Sequence, residues 1–217
     1  MNFLAHLHLA GDDDGLRLGA LLGDFTKGRR ALRKYPPEVQ TGIELHRFID
    51  STTDDQAAVV ALRERIEQPF RRYAGIIIDL AMDHRLAISW DRFSDQSLAE
   101  FDAGVREMLA RHDALVPRRL RSFMEYADRY GLFEAYRDEK EVLLSLRGVG
   151  RRFLRPNPLH RVDEIWAELK PAFIDCFEIV YPRVQSAVAG WLNTRSTTTG
   201  SWSEDRNQGS DGRPDQG

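Results

Sequence analysis

The residues able to do chemistry in this chain are carboxylates and imidazoles set into apolar helical patterns. After Pro37 a stripe of Val39, Ile43, His46 and Asp50 descends one face, leaving an imidazole and a carboxylate one turn apart and pointing inward. In Ile76-Ile77-Ile78-Asp79-Leu80-Ala81-Met82-Asp83-His84, Asp79 and Asp83 share one face of a segment apolar nearly all round, the mark of a buried helix. Asp24 lies in a third apolar run, between Leu22-Gly23 and Phe25. A bare buried carboxylate is costly, so each must be paired with a cation, neutralised or bound to metal. Taken singly, each reads as a carboxylate paired with an arginine or capping a helix. Three segments together favour convergence on a divalent cation. A donor set of imidazole and carboxylate without thiolate suits Mn²⁺, Mg²⁺, Fe or Zn²⁺, and a majority of oxygens favours six-coordinate Mn²⁺ or Mg²⁺. Such a site polarises a phosphoryl oxygen and acidifies a bound water, which is the chemistry of phosphoester hydrolysis. Glycine-rich loops of the Walker or Rossmann type are absent, which argues against a kinase or a dehydrogenase. His6 and His8 point to opposite sides if their segment is a helix and to one side if it is extended. His112 and His160, outside any apolar stripe, read as structural.

The elements that must position these groups are helical. Apolar residues recur at i, i+3, i+4 between Pro and Gly breaks, and no stretch holds a period of two. Helices are expected over 15–27, 37–52, 55–67, 70–90, 95–114, 118–129, 132–147 and 161–192, with Gly131 and Gly148 as stops. The chain of 217 residues, 42% hydrophobic and 30% charged, has room for one globular core. The expected architecture is an all-α, single-domain helical bundle over 1–193, followed by a disordered, polar C-terminal tail over 194–217. A formal charge of −3 gives no whole-chain signal for nucleic acid or membrane. Apolar runs fall short of the roughly 20 residues of a spanning helix, and the apolar start lacks a basic leader, so a cytoplasmic location is expected. The single Cys176, among Phe173, Ile174 and Phe177, reads as a small buried side chain in a reducing compartment. Arg147, Arg151, Arg152, Arg155 and Arg161 make a basic loop over 147–161 that holds no acidic residue.

Four stretches carry a resemblance: Met1-Asn-Phe-Leu-Ala-His-Leu-His-Leu-Ala10, Gly19-Ala-Leu-Leu-Gly-Asp24-Phe, Gly42-Ile-Glu-Leu-His46-Arg-Phe-Ile-Asp50 and Asp79-Leu-Ala-Met-Asp83-His84. In this order, from Met1 to about Trp191, the chain resembles the acyl carrier protein phosphodiesterases, distant relatives of the all-helical HD-type phosphohydrolases. The resemblance implies hydrolysis of the phosphodiester joining 4′-phosphopantetheine to a serine of holo-acyl carrier protein, returning the apo carrier. It implies a divalent metal, typically Mn²⁺, with Mg²⁺ or Fe as alternatives. By position it implies Asp24, His46, Asp50, Asp83 and His84 as site residues, Asp79 as a further ligand, and His6 and His8 in second rank. Asp24, His46 and His84 would be catalytic, with His84 protonating the leaving serine oxygen. In HD enzymes the dyad runs His-Asp, whereas here it runs Asp83-His84, which leaves the division of roles open. An acidic carrier calls for a cationic surface, to which Arg29, Arg30, Arg33, Lys34, Arg147, Arg151, Arg152 and Arg155 would contribute. The same residues would also suit an HD-type hydrolase of a small nucleotide. A non-catalytic helical module that binds an acidic protein, its Asp and His paired internally, is the remaining alternative.

Overall fold

A computed structural model of the chain describes residues 1–121 and 133–204, with side chains through 195. Among the described residues every regular element is helical and none is a strand. In chain order the α-helices are α1 (Phe3–Leu9), α2 (Asp14–Leu22), α3 (Gly28–Leu32), α4 (Pro37–Asp54), α5 (Ala57–Arg65), α6 (Ala74–Ile88), α7 (Leu98–Arg111), α8 (Glu139–Gly150) and α9 (Asp163–Glu204). Short 3₁₀ turns link several of them, among them Gly23–Phe25 after α2 and Glu134–Arg137 before α8.

Local sequence chemistry sets the starts. Pro37 occupies the first turn of α4, where a missing N–H leaves no hydrogen bond unmade. Ser97 caps α7 in a reciprocal pair with Glu100, and Asp13 and Asp138 cap α2 and α8 through Leu16 N and Lys140 N. The core is one cluster in which Trp90, Trp166, Tyr181, Phe101, Phe133 and Phe177 are fully buried. Helix α9 packs along α4, α5 and α6, and carries buried Cys176, whose thiol burial pushes up to about 11.

The closest helix pair is α2 with α4, and glycine makes it possible. A Cβ on Gly19 would lie 2.3 Å from Val39 O and 2.5 Å from Gly42 Cα, so only hydrogens let the two backbones approach this far. That contact brings the end of α2, with Asp24 just beyond it, against the middle of α4.

Three expectations change. The Phe3–Leu9 segment, for which helix and extended chain stood open, is helical. The basic stretch is a loop only over 151–157: Arg147 and Gly148 belong to α8, and Pro158–Arg161 forms a 3₁₀ turn. Gly148 therefore sits inside a helix instead of ending one. The last helix passes 193, because Arg195 bonds Glu44 at 2.8 Å and lies 4.1 Å from the Trp191 ring centre. The helix is continuous to Glu204, and 205–217 lie outside the described residues. So do 122–132, where most of the helix expected over 118–129 and its Gly131 stop would fall. No helix among the described residues is long and apolar enough to cross a membrane.

Candidate metal centre

Four ionisable side chains from three places in the chain converge. His46 Nε2 lies 3.1 Å from Asp50 Oδ2 and 3.6 Å from Asp24 Oδ1. His6 Nε2 lies 3.0 Å from Asp50 Oδ1, and the His6 and His46 rings stack with centres 4.0 Å apart. Ligand-type atoms of His6, His46 and Asp50 all fall within 4.8 Å of one another, the spacing a single cation requires. The two imidazoles are buried, whereas Asp50 is 43% and Asp24 56% exposed, so the cluster opens to solvent on its carboxylate side.

Each group is aimed by its own element. His46 and Asp50 stand one turn apart on α4. His46 Nδ1–H donates to Ala20 O at 2.7 Å, which fixes the tautomer and turns Nε2 toward the carboxylates. Gly23 makes room for the ring, since a Cβ there would lie 2.2 Å from His46 Cγ. His6 comes from α1, and its Nε2 also faces Met1 O at 3.2 Å. The Met1 ammonium closes one side, 2.8 Å from Asp79 and 3.9 Å from Asp50.

The electrostatics suit a cation. Burial opposes charge on His46, but hydrogen bonds to Asp24 and Asp50 outweigh it and raise its pKa to about 9. For Asp50, burial works upward and the His46 and His6 hydrogen bonds carry the carboxyl far below its usual range. Asp24 is lowered too, its contact with His46 outweighing burial. Burial holds His6 down, to about 4. A positive charge between these carboxylates is thus favoured, and the His46 proton supplies it where a divalent ion would. Among the described residues buried His6 Nδ1 has no hydrogen-bond partner, so this ring, unlike His46, has no main-chain anchor there at its other nitrogen. The donors, two imidazoles and two carboxylates, fit Mn²⁺, Mg²⁺ or Fe in kind.

Other expected site residues fall elsewhere. Asp83 accepts from the main-chain N–H groups of Asn2 (3.2 Å), Leu4 (2.8 Å) and Ala5 (3.2 Å), so it caps α1 and stands outside the cluster. Burial raises its pKa to about 7 against those hydrogen bonds. His84 donates Nδ1–H to Tyr136 O at 2.7 Å and lies beside Trp166, with no carboxylate within 4.0 Å among the described residues. The structure thus gives Asp83 and His84 main-chain partners and groups neither of them with His6, His46 and Asp50. His8 is structural: Nε2–H donates to Phe93 O at 3.0 Å, and Nδ1 accepts from the Tyr181 hydroxyl at 2.6 Å. Asp79 borders the cluster through the Met1 ammonium instead of joining it.

Of the basic residues, Arg29, Arg30, Arg33 and Lys34 are exposed on and just after α3, close in sequence to Asp24. Arg151, Arg152 and Arg155 are exposed on the other loop, while Arg147 is already bonded to Asp163 at 2.8 Å. Sequence reasoning missed the helical packing glycines Gly19, Gly42 and Gly23. The signal was present: glycines in the two apolar runs that carry Asp24 and His46–Asp50.

Residues 1–184 match the family described as acyl carrier protein phosphodiesterase. The chain belongs to this family. Among curated relatives, the acyl carrier protein phosphodiesterase of Salmonella dublin is 36% identical over 193 residues, covering 87% of this chain and 98% of the relative. That of Yersinia enterocolitica is 35% identical over 180 residues, covering 80% and 92%. That of Photorhabdus laumondii subsp. laumondii is 33% identical over 160 residues, covering 73% and 80%. No solved structure matches the chain. Membership makes the chain an enzyme of the phosphodiesterase class and sets aside the non-catalytic alternative.

Proposed function

We propose that this chain hydrolyses the phosphodiester between 4′-phosphopantetheine and the serine of holo-acyl carrier protein, with a divalent cation, Mn²⁺ before Mg²⁺ or Fe, held by Asp24, His46, Asp50 and His6. The observation that carries the reading is the four-residue cluster in a member of a phosphodiesterase family. At such a site the cation supplies polarisation of a phosphoryl oxygen and acidification of a bound water. Asp50 spans both imidazoles, and Ala20 O keeps His46 Nε2 turned toward the carboxylates, where a cation would be held. Exposed Asp24 is the group best placed to accept a proton from an attacking water at the open side. The Met1 ammonium neutralises Asp79 beside the cluster and so limits repulsion of a phosphate.

An acidic carrier protein calls for a cationic surface, which exposed Arg29, Arg30, Arg33 and Lys34, close in sequence to Asp24, and exposed Arg151, Arg152 and Arg155 would supply. Exposed arginines of this kind speed and orient encounter more than they add affinity. The test is incubation with holo carrier and Mn²⁺, with mass spectrometry of the carrier. Loss of the phosphopantetheine mass, abolished by chelator and restored by Mn²⁺, is the expected result. An intact holo carrier under every metal condition contradicts the reading.

A further inference from the structure

Asp79 and Asp83, one turn apart on α6, both hold the residues around Met1. Asp83 takes the main-chain N–H groups of Asn2, Leu4 and Ala5, and Asp79 takes the Met1 ammonium at 2.8 Å. Met1 is buried, so its amine is a buried cation. Its ion-pair partners among the described residues are Asp79 and, at 3.9 Å, Asp50.

Met1 also touches the cluster through its carbonyl, which faces His6 Nε2 at 3.2 Å. His6 needs such support. Its ring has no partner at Nδ1 among the described residues, and α1, with seven residues, is too short to hold its place by itself. Asp50 meets the ammonium as well as the two imidazoles, so one buried amine bears on two members of the cluster.

We propose that the free α-amine of Met1 is a positioning group for the cluster, and that a formyl group, an acetyl group or a peptide extension on it lowers metal affinity and turnover. Acylation removes the positive charge, leaves Asp79 with no cation and adds atoms where Met1 is already buried. The start of α1 must then shift, and His6 moves with it. The proposal rests on the metal site of the function proposed above and adds a condition to it: the site is complete only when this amine is free.

The test compares the chain with a free Met1 amine, the same chain kept formylated by expression with deformylation inhibited, and a chain carrying Gly-Ser ahead of Met1, each verified by intact mass. The extension keeps an ammonium but moves it by up to about 7 Å. Mn²⁺ affinity is read by calorimetry, kcat and KM on holo carrier, and stability by a melting curve. Both altered chains should show Mn²⁺ affinity and kcat about tenfold lower, with KM nearly kept, the low end of what loss of an outer partner of a metal ligand costs. Asp79→Asn separates positioning from stability. In the free-amine chain it removes the ammonium's partner and should lower Mn²⁺ affinity. In the formylated chain it removes a bare buried carboxylate, offers the formamide N–H a neutral acceptor and should restore part of the affinity. Equal Mn²⁺ affinity and kcat in all three chains overturn the proposal, whether or not the altered chains melt lower. An Asp79→Asn effect of the same sign in the free and formylated chains overturns it too. A free-amine protein that binds Mn²⁺ but never converts holo carrier overturns the proposed function, while the Mn²⁺ readings still decide the role of the amine. One that binds no Mn²⁺ overturns both.

Discussion

His46 and His84 are prepared alike and end differently. Each donates Nδ1–H to a main-chain carbonyl at 2.7 Å, from Ala20 and Tyr136 respectively, and each is buried. At His46 the remaining nitrogen meets Asp50 and Asp24, and its pKa rises to about 9. At His84 no carboxylate comes within 4.0 Å among the described residues, and burial lowers the pKa. The carboxylates divide in the same way. Asp50 faces two imidazoles, whereas Asp83 faces three main-chain N–H groups. For the carboxylates, availability to a ligand depends on what the lone pairs meet: the imidazoles facing Asp50 leave it available, and the main-chain N–H groups facing Asp83 do not.

The sharpest way to break this contrast is to remove Asp50. Asp50→Ala should lower phosphodiesterase activity beyond the roughly 10–100-fold that loss of an outer partner costs, with the fold kept, as read by kcat/KM beside a melting curve. Retained activity would mean the cluster is not the site. On the structural side, Asp83→Ala leaves three N–H groups at the start of α1 unmatched and should cost about 3 kcal/mol in denaturant unfolding. Its folded fraction should still bind metal.

Gly23→Ala alters no ionisable group, yet its methyl would overlap the His46 ring. Activity should fall about tenfold through displacement of that ring, in line with what misplacing a site group costs. An unchanged rate would show that the ring can move aside freely. A further prediction concerns pH. A proton on His46 Nε2 must leave before a cation binds, so apparent Mn²⁺ affinity should rise about tenfold per pH unit until about pH 9. In the metal-free protein the sign reverses. The raised pKa stabilises the fold fully below 6.5, and this contribution is lost as pH rises through about 9, measurable by unfolding at each pH with chelator present.

The helical fold was largely legible, because apolar spacing survives in the long segments and Pro37 marks the start of α4, whereas the helix expected from 95 begins only at Leu98, behind its Ser97 cap. Within α4 the site was legible too: the stripe that begins at Val39 brings His46 and Asp50 to one face. His6 stood in second rank because seven residues of α1 give too short a pattern to separate helix from extended chain. Asp83 and His84 misled for a different reason. Their partners are the N–H groups of Asn2, Leu4 and Ala5 and the carbonyl of Tyr136, and main-chain atoms leave no trace in residue identity. Gly19 and Gly42 were visible as letters, but their meaning as a backbone contact between α2 and α4 needs the packed structure.

The central claim is tested most directly by counting Mn²⁺ bound per chain in His46→Ala and in His84→Ala beside the parent protein. The account expects binding to be lost in the first and kept in the second. Loss in His84→Ala with retention in His46→Ala would contradict it.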